Sequence, residues 1–220
     1  MGGMLIQDET PANRPPRVPF YRAYPPVLLA LAGVIIAVSV VQFLVPPEIE
    51  NEMFLAGAVI SGSEFDGIKQ PFGAFAPLVL HTFLHGGVLH LGMNMWAMMS
   101  LGAGPALVMG KSVRGMTAFL AFFFLCAIGG GLAQIAVFQL QGDGGVAVGA
   151  SSAISGLLPA LGWLQGRWKR ALQISVPWLL INLGLAVFGS LSPIPIAWAA
   201  HLGGLAAGFS FPFFLAWARR

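Results

Sequence analysis

The chain has 220 residues, 57% of them hydrophobic and only 9% charged, against roughly 25% charged in an average soluble domain. Eleven basic and eight acidic side chains cannot cover the surface of a soluble globule of this length. Disorder would need lower hydrophobicity, nucleic-acid binding would need basic patches, and a disulfide scaffold would need more than one cysteine. A polytopic, all-α membrane helix bundle remains.

Residues 1–26 form a Pro- and Arg-containing tail with Asp8 and Glu9, lacking the short apolar core of a cleaved signal peptide. A membrane helix needs about 20 mostly apolar residues. Stretches free of Asp, Glu, Lys and Arg, cut at turn signals, give six between residues 27 and 218. The first runs from about Val27 to Val45 and stops at Pro46-Pro47. An outer loop, 46–76, follows, in which Met53-Phe54-Leu55, Phe72 and Phe75 alternate with acids and glycines, a pattern expected to lie partly buried at the interface. The second span covers about Pro77 to Leu101 and is closed by the Gly102 to Pro105 cluster; the third covers about Gly115 to Leu140. After the turn at Gly142-Asp143-Gly144-Gly145, the fourth runs from about Val148 to Gln165. The uncharged stretch from Ala171 to Ala218 is too long for one crossing, and Ser192-Pro193-Ile194-Pro195 divides it into a fifth and a sixth. Cys126, alone in an apolar run, reads as a small buried hydrophobe.

The net charge of +3 has meaning through its distribution. Arg14, Arg17, Arg22, Lys111, Arg114, Arg167, Lys169, Arg170, Arg219 and Arg220, ten of the eleven basic residues, fall on one side of this six-span arrangement. Lys69 and six of the eight acids fall on the other. Basic residues are retained in the cytoplasm, so both termini are assigned to that side, with Arg219 and Arg220 as a basic C-terminal end.

Polar side chains are costly in hydrocarbon, so those that interrupt the apolar pattern mark function. Span two carries His81, His85, His90 and Asn94. Span four begins Gly149-Ala150-Ser151-Ser152-Ala153-Ile154-Ser155-Gly156, and span six carries His201 with Gly203, Gly204 and Gly208. No span contains a carboxylate, which removes the aspartyl-protease, zinc-protease and most ion-coupled-transport chemistries. A hydroxyl, an imidazole and an amide remain, the material of nucleophilic acyl transfer without metal or cofactor. At about 1.5 Å per residue, Ser151 and His201 both fall roughly 5 to 10 Å inside the outer boundary. His90 and Asn94 share a helix face and offer N–H donors to an oxyanion, although they lie deeper unless the start of span two is not helical. Small-residue packing at Ser151 and a GxxxG contact at Gly204 and Gly208 are the bland alternatives for each motif alone. His81 and His85 are expected nearer the surface, in structural or interfacial roles.

The sequence resembles the rhomboid intramembrane serine proteases of the six-span bacterial type. Three motifs carry the resemblance, in order and in the expected spans: HGGVLHLGMN at 85–94, GASSAISG at 149–156 and AHLGGLAAG at 200–208. The resemblance implies a Ser151–His201 dyad with no acid member. It also implies an oxyanion site made by His90, Asn94 and the Ser151 backbone N–H, supported by His85, Gly149, Gly204 and Gly208. Transmembrane proteins would be the substrates, in a bacterial plasma membrane. In two departures, Ser152 replaces the family's glycine after the nucleophile and Ser155 replaces an aromatic that often stacks on the base. Loop 46–76 also lacks the Trp-Arg pair of some relatives. A catalytically inactive rhomboid-like binding module and a small-solute transporter are the competing readings; only the protease predicts an activated serine.

Overall fold

In hydrocarbon each backbone N–H and C=O must find its partner within the chain, and a helix does this locally. The computed structural model describes residues 24–62, 65, 67–142, 144–188 and 196–220. The tail's Arg14, Arg17 and Arg22, the acids Glu64, Asp66 and Asp143, and the divide at Ser192 to Pro195 lie outside the described residues. Helix α1 is Pro26–Leu44, opened by a proline whose missing N–H is harmless in the first turn. Helix α2, Pro47–Gly57, and strand β1, Val59–Ser61, occupy part of the expected outer loop. Gln70 Nε2 donates to the carbonyls of Leu55 and Ala58, both at 2.9 Å, and so closes the open end of α2.

The second span departs from expectation. A short helix α3, Pro77–Leu80, and a 3-10 turn at His81–Phe83 precede the long helix α4, Val88–Met109. The break falls at Gly87, whose φ of 131° excludes helix, and the end falls at Gly110, with φ 92°. Gly102 and Pro105 therefore sit inside α4 instead of closing it. Gly102 serves packing: a methyl there would lie 2.9 Å from Leu28 Cδ1 of α1 and 3.4 Å from Leu157 Cδ1.

Helix α5, Val113–Gln141, is capped by Ser112, whose hydroxyl accepts from Gly115 N at 3.1 Å, and ends at Gly142 in the left-handed region. It is the central post, touching α1, α3, α4, β1 and, later in the chain, residues 145–147, 151–155, 198–208 and 211–218. Strand β2, Gly145–Ala147, pairs antiparallel with β1, Val59 opposite Ala147, so the fourth span begins at α6, Ser151–Ser155, and not at Val148. Helix α7, Leu157–Phe188, is interrupted at Gly166 and Arg167. A methyl on Gly162 would lie 2.6 Å from Ala171 Cα. Residues nine apart in a straight helix would be separated by about 13 Å, so the chain doubles back there. Helix α8, Trp198–Gly208, and helix α9, Phe211–Ala218, are bent by 48°. By length and composition, three stretches, Pro26–Leu44, Val113–Gln141 and Ser151–Phe188, are fit to cross a membrane, and the bent α8–α9 pair makes a fourth.

The core gathers on α5, where Phe119, Phe122, Phe123, Cys126 and Ala127 are fully buried. Phe122 meets Phe211 edge-on at 5.5 Å. One turn higher the packing changes from rings to bare backbone. A methyl on Gly129 would lie 3.1 Å from Gly203 O, one on Gly156 2.9 Å from Gly204 O, and one on Gly204 would overlap the Ser152 carbonyl. At these glycines α8 thus rests on α5 and α6 with backbone and alanine methyls as the contacting groups. Gly204→Ala is expected to destabilise the fold by about 1 to 3 kcal/mol, the usual cost of overpacking. Gly184→Ala, with nothing within 4 Å of the added methyl, is expected to be silent; thermal unfolding of both in detergent micelles makes the comparison.

Candidate active site

The close approach of α8 to α6 brings together two residues 50 apart in sequence. His201 Nε2 lies 2.9 Å from Ser151 Oγ. His201 is 7% exposed, and Ser151 is the first residue of α6, where backbone N–H groups have no helical acceptor. The turn before it is shaped by Gly149, with φ 113°. A side chain there is excluded twice, by the backbone angle and by His90, whose Cε1 would lie 2.7 Å from the added carbon.

His90 and Asn94 stand on the same face of α4, beside Gly149. The Gly86 N–H donates to His90 Nδ1 at 3.3 Å, so in the neutral ring the proton sits on Nε2, the nitrogen nearer Gly149. Asn94 Nδ2 donates to His90 O at 2.9 Å, keeping a second N–H, while its buried Oδ1 has no partner. The non-helical start of span two raises both residues toward Ser151. That start is itself fixed from α1: Gln42 pairs both backbone groups of His85, at 2.9 Å to N and 2.7 Å to O. Ser39 Oγ donates to Phe83 O at 3.1 Å and accepts from His85 Nδ1 at 2.9 Å. The His85 ring meets His90 edge-on at 5.2 Å. His85 is therefore buried, in a structural role beside His90.

His81 is also buried. Its Nδ1 donates to Pro77 O at 2.8 Å, so its Nε2 accepts the Ser152 hydroxyl at 3.1 Å. Its carbonyl takes the Gly149 N–H at 2.8 Å. One residue thus grips both ends of the 149–152 segment. The side chain of Ser152 fits because Gly130 faces it; a methyl on Gly130 would overlap Ser152 Cβ and lie 2.6 Å from Ala200 O.

Ser155 does not hold the His201 ring. Its hydroxyl donates to Ser151 O at 2.8 Å and accepts Trp178 Nε1–H at 3.0 Å. The aromatic neighbour comes instead from α7: the Trp178 ring lies 5.3 Å from the His201 ring, inclined by 35°. One turn along, Asn182 Oδ1 lies 2.8 Å from His201 Nδ1. The His201 ring thus has an aromatic neighbour on α7 and none at position 155. No motif in the sequence singles out Trp178 or Asn182, each of which stands within the apolar run of the fifth expected span. Ser39, Gln42 and Gln134 are likewise outside any motif, and Gln134 Oε1 accepts the Ala200 N–H at 3.1 Å beside His201. Among the described residues no group of three or more His, Cys, Asp and Glu is placed to hold a metal ion.

Residues 73–218, about two thirds of the chain, match the family model of the Rhomboid domain. The chain belongs to the rhomboid family. The match begins before α3 and ends at the last residue of α9, so it contains every group just described except those on α1. The rhomboid family is one of intramembrane proteases that act on membrane proteins, and the match together with the apolar helices makes this an integral membrane protein. Comparison with curated proteins returned no match.

Proposed function

We propose that the protein is an active serine endopeptidase that cuts transmembrane segments of other membrane proteins near the outer face of a bacterial plasma membrane. The observation that carries this reading is the 2.9 Å contact between Ser151 Oγ and His201 Nε2, within hydrogen-bond reach for a nucleophile and its base. Ser151 Oγ attacks the scissile carbonyl as His201 takes its proton. The oxyanion that develops is held by the Ser151 N–H, His90 Nε2–H and the second Asn94 Nδ2–H. His201 returns the proton to the leaving amine, and water then hydrolyses the acyl-enzyme by the same route. No cofactor takes part.

The reading includes six crossings with both termini in the cytoplasm. To the stretches fit by length and apolarity it adds α4, whose 22 residues span about 33 Å at the helical rise, close to the roughly 30 Å of hydrocarbon. It divides 151–188 at the reversal at Gly166 and Arg167. The basic residues Lys111, Arg114, Arg167, Lys169, Arg170, Arg219 and Arg220 then share one side. Ser151 faces the other, so substrate helices are cut where they can unwind close to the outer surface. Mass spectrometry of product termini is expected to place the cuts in the outer third of the substrate segment; cuts on the cytoplasmic side would contradict this orientation.

A fluorophosphonate probe, which couples only to an activated serine, tests the central assignment. Ser151→Ala is expected to abolish labelling and proteolysis. Ser152→Ala and Ser155→Ala are expected to retain both in part, because these hydroxyls are bonded to His81 and to Ser151 O. Covalent labelling of folded Ser151→Ala would overturn the assignment. Asn94→Ala is expected to lower kcat by about a hundredfold with little change in KM, since an oxyanion donor acts chiefly in the transition state; steady-state kinetics on a reconstituted substrate separate the two constants.

A further inference from the structure

We propose that Asn182, on the fifth span, is a positioning residue that fixes the His201 ring as the tautomer able to accept the Ser151 proton. The inference rests on the protease reading above and adds to it a group outside the three family-like motifs. Asn182 is fully buried. Its Nδ2 donates to Trp178 O at 2.8 Å, four residues back on α7. A carbonyl can only accept, so that contact decides which end of the amide is nitrogen and leaves Oδ1 facing His201. Oδ1 lies 2.8 Å from His201 Nδ1 and is itself only an acceptor. The ring proton must therefore sit on Nδ1. Nε2 is left with its lone pair directed at Ser151 Oγ, 2.9 Å away.

The opposite tautomer would fail twice. It would place a proton on Nε2, against a hydroxyl that has to give one up, and it would set two lone pairs against each other at Nδ1 and Oδ1. In a ring only 7% exposed, water cannot relieve that conflict. When His201 takes the Ser151 proton, the ring becomes a cation with both nitrogens protonated, and the Asn182 oxygen faces the positive Nδ1–H. The amide dipole therefore strengthens its bond in the transition state while carrying no charge into the membrane in the ground state. A carboxylate would give the stronger interaction at the cost of burying an ion. Trp178 limits the remaining freedom of the ring, lying 5.3 Å from it, and is anchored by its own bond to Ser155. Trp178 and Asn182 are one helical turn apart, so a single face of α7 sets both the tilt and the proton position of His201.

Three variants of the full-length protein in detergent or liposomes test this. Asn182→Ala is expected to lower both kcat and the rate of fluorophosphonate labelling by about tenfold to a hundredfold, the span expected for losing a hydrogen bond to a group that becomes charged, with KM unchanged. Asn182→Leu fills the space without an acceptor and is expected to be as slow. Asn182→Asp keeps an oxygen toward Nδ1 and is expected to restore most of the turnover. The ring ¹⁵N resonances of His201, assigned by their absence in His201→Gln, are expected to show a protonated Nδ1 in the unmutated protein and a mixture of tautomers in Asn182→Leu. Full turnover in Asn182→Leu would assign the residue to packing and overturn the proposal. So would a raised KM at normal kcat, or an Nε2-protonated His201 in the unmutated protein. The NMR result stands whether or not the protein cleaves. An unmutated protein that resists the probe yet shows the Nδ1 tautomer would sink the protease reading alone.

Discussion

Helix α8 lies against α6 and α5 at backbone distance, and the rest of the site depends on that approach. Gly204 presses on the carbonyl of Ser152, Gly208 on Gly156, and Gly203 on Gly129. Side chains at these positions would hold the helices apart by several ångströms, and a hydrogen bond between Ser151 and His201 has no such slack. Lipid tails are as apolar as the helices they surround, so association here comes from close van der Waals contact and from interhelical hydrogen bonds. The glycines permit the first. Gln134, by accepting the Ala200 N–H, adds the second at the turn that carries His201.

Around that contact the chain builds its polar site from neutral groups. Ser39, Gln42, Gln134 and Asn182 each place a hydroxyl or amide where a buried donor or acceptor would otherwise be unmet. The same economy explains why each imidazole of the site has a defined proton. Pro77 O sets the tautomer of His81, the Gly86 N–H that of His90, and Asn182 Oδ1 that of His201. A membrane interior makes charge expensive and makes hydrogen-bond direction the usable variable.

Much of this was legible in the sequence. Helix α1 ends within a residue of its expected stop because Pro46 and Pro47 cannot continue it, and α5, expected from about Gly115 to Leu140, runs from Val113 to Gln141 and stops at the Gly142 turn. Helical rise put Ser151 and His201 at a similar depth, but that their two helices are neighbours is set by the packing of α8 on α6 and by no spacing in the sequence. The second span departs from its expected end since Gly102 and Pro105 have the composition of a turn, whereas that glycine is a packing contact and that proline is tolerated in a long apolar helix. The break at Gly86-Gly87 is a bare glycine pair with no proline or polar turn residue to mark it, and it shows only in the φ of 131° at Gly87. Trp178 and Asn182 were hidden for a different reason. Their roles arise where α7 meets α8, and no spacing within α7 reports on a partner supplied by another helix.

The exchange of bulk between Gly130 and Ser152 links two positions on different helices. Room for the hydroxymethyl group at 152 exists only while 130 has no side chain, and His81 Nε2 has a donor only while 152 is serine. Glycine at 152 would remove only one of the two obstacles at 130, since a methyl there would still lie 2.6 Å from the Ala200 carbonyl of α8. Position 130 is thus held bare from two sides, by the backbone that carries His201 and by the side chain that binds His81, and any bulk placed there would disturb both imidazoles at once.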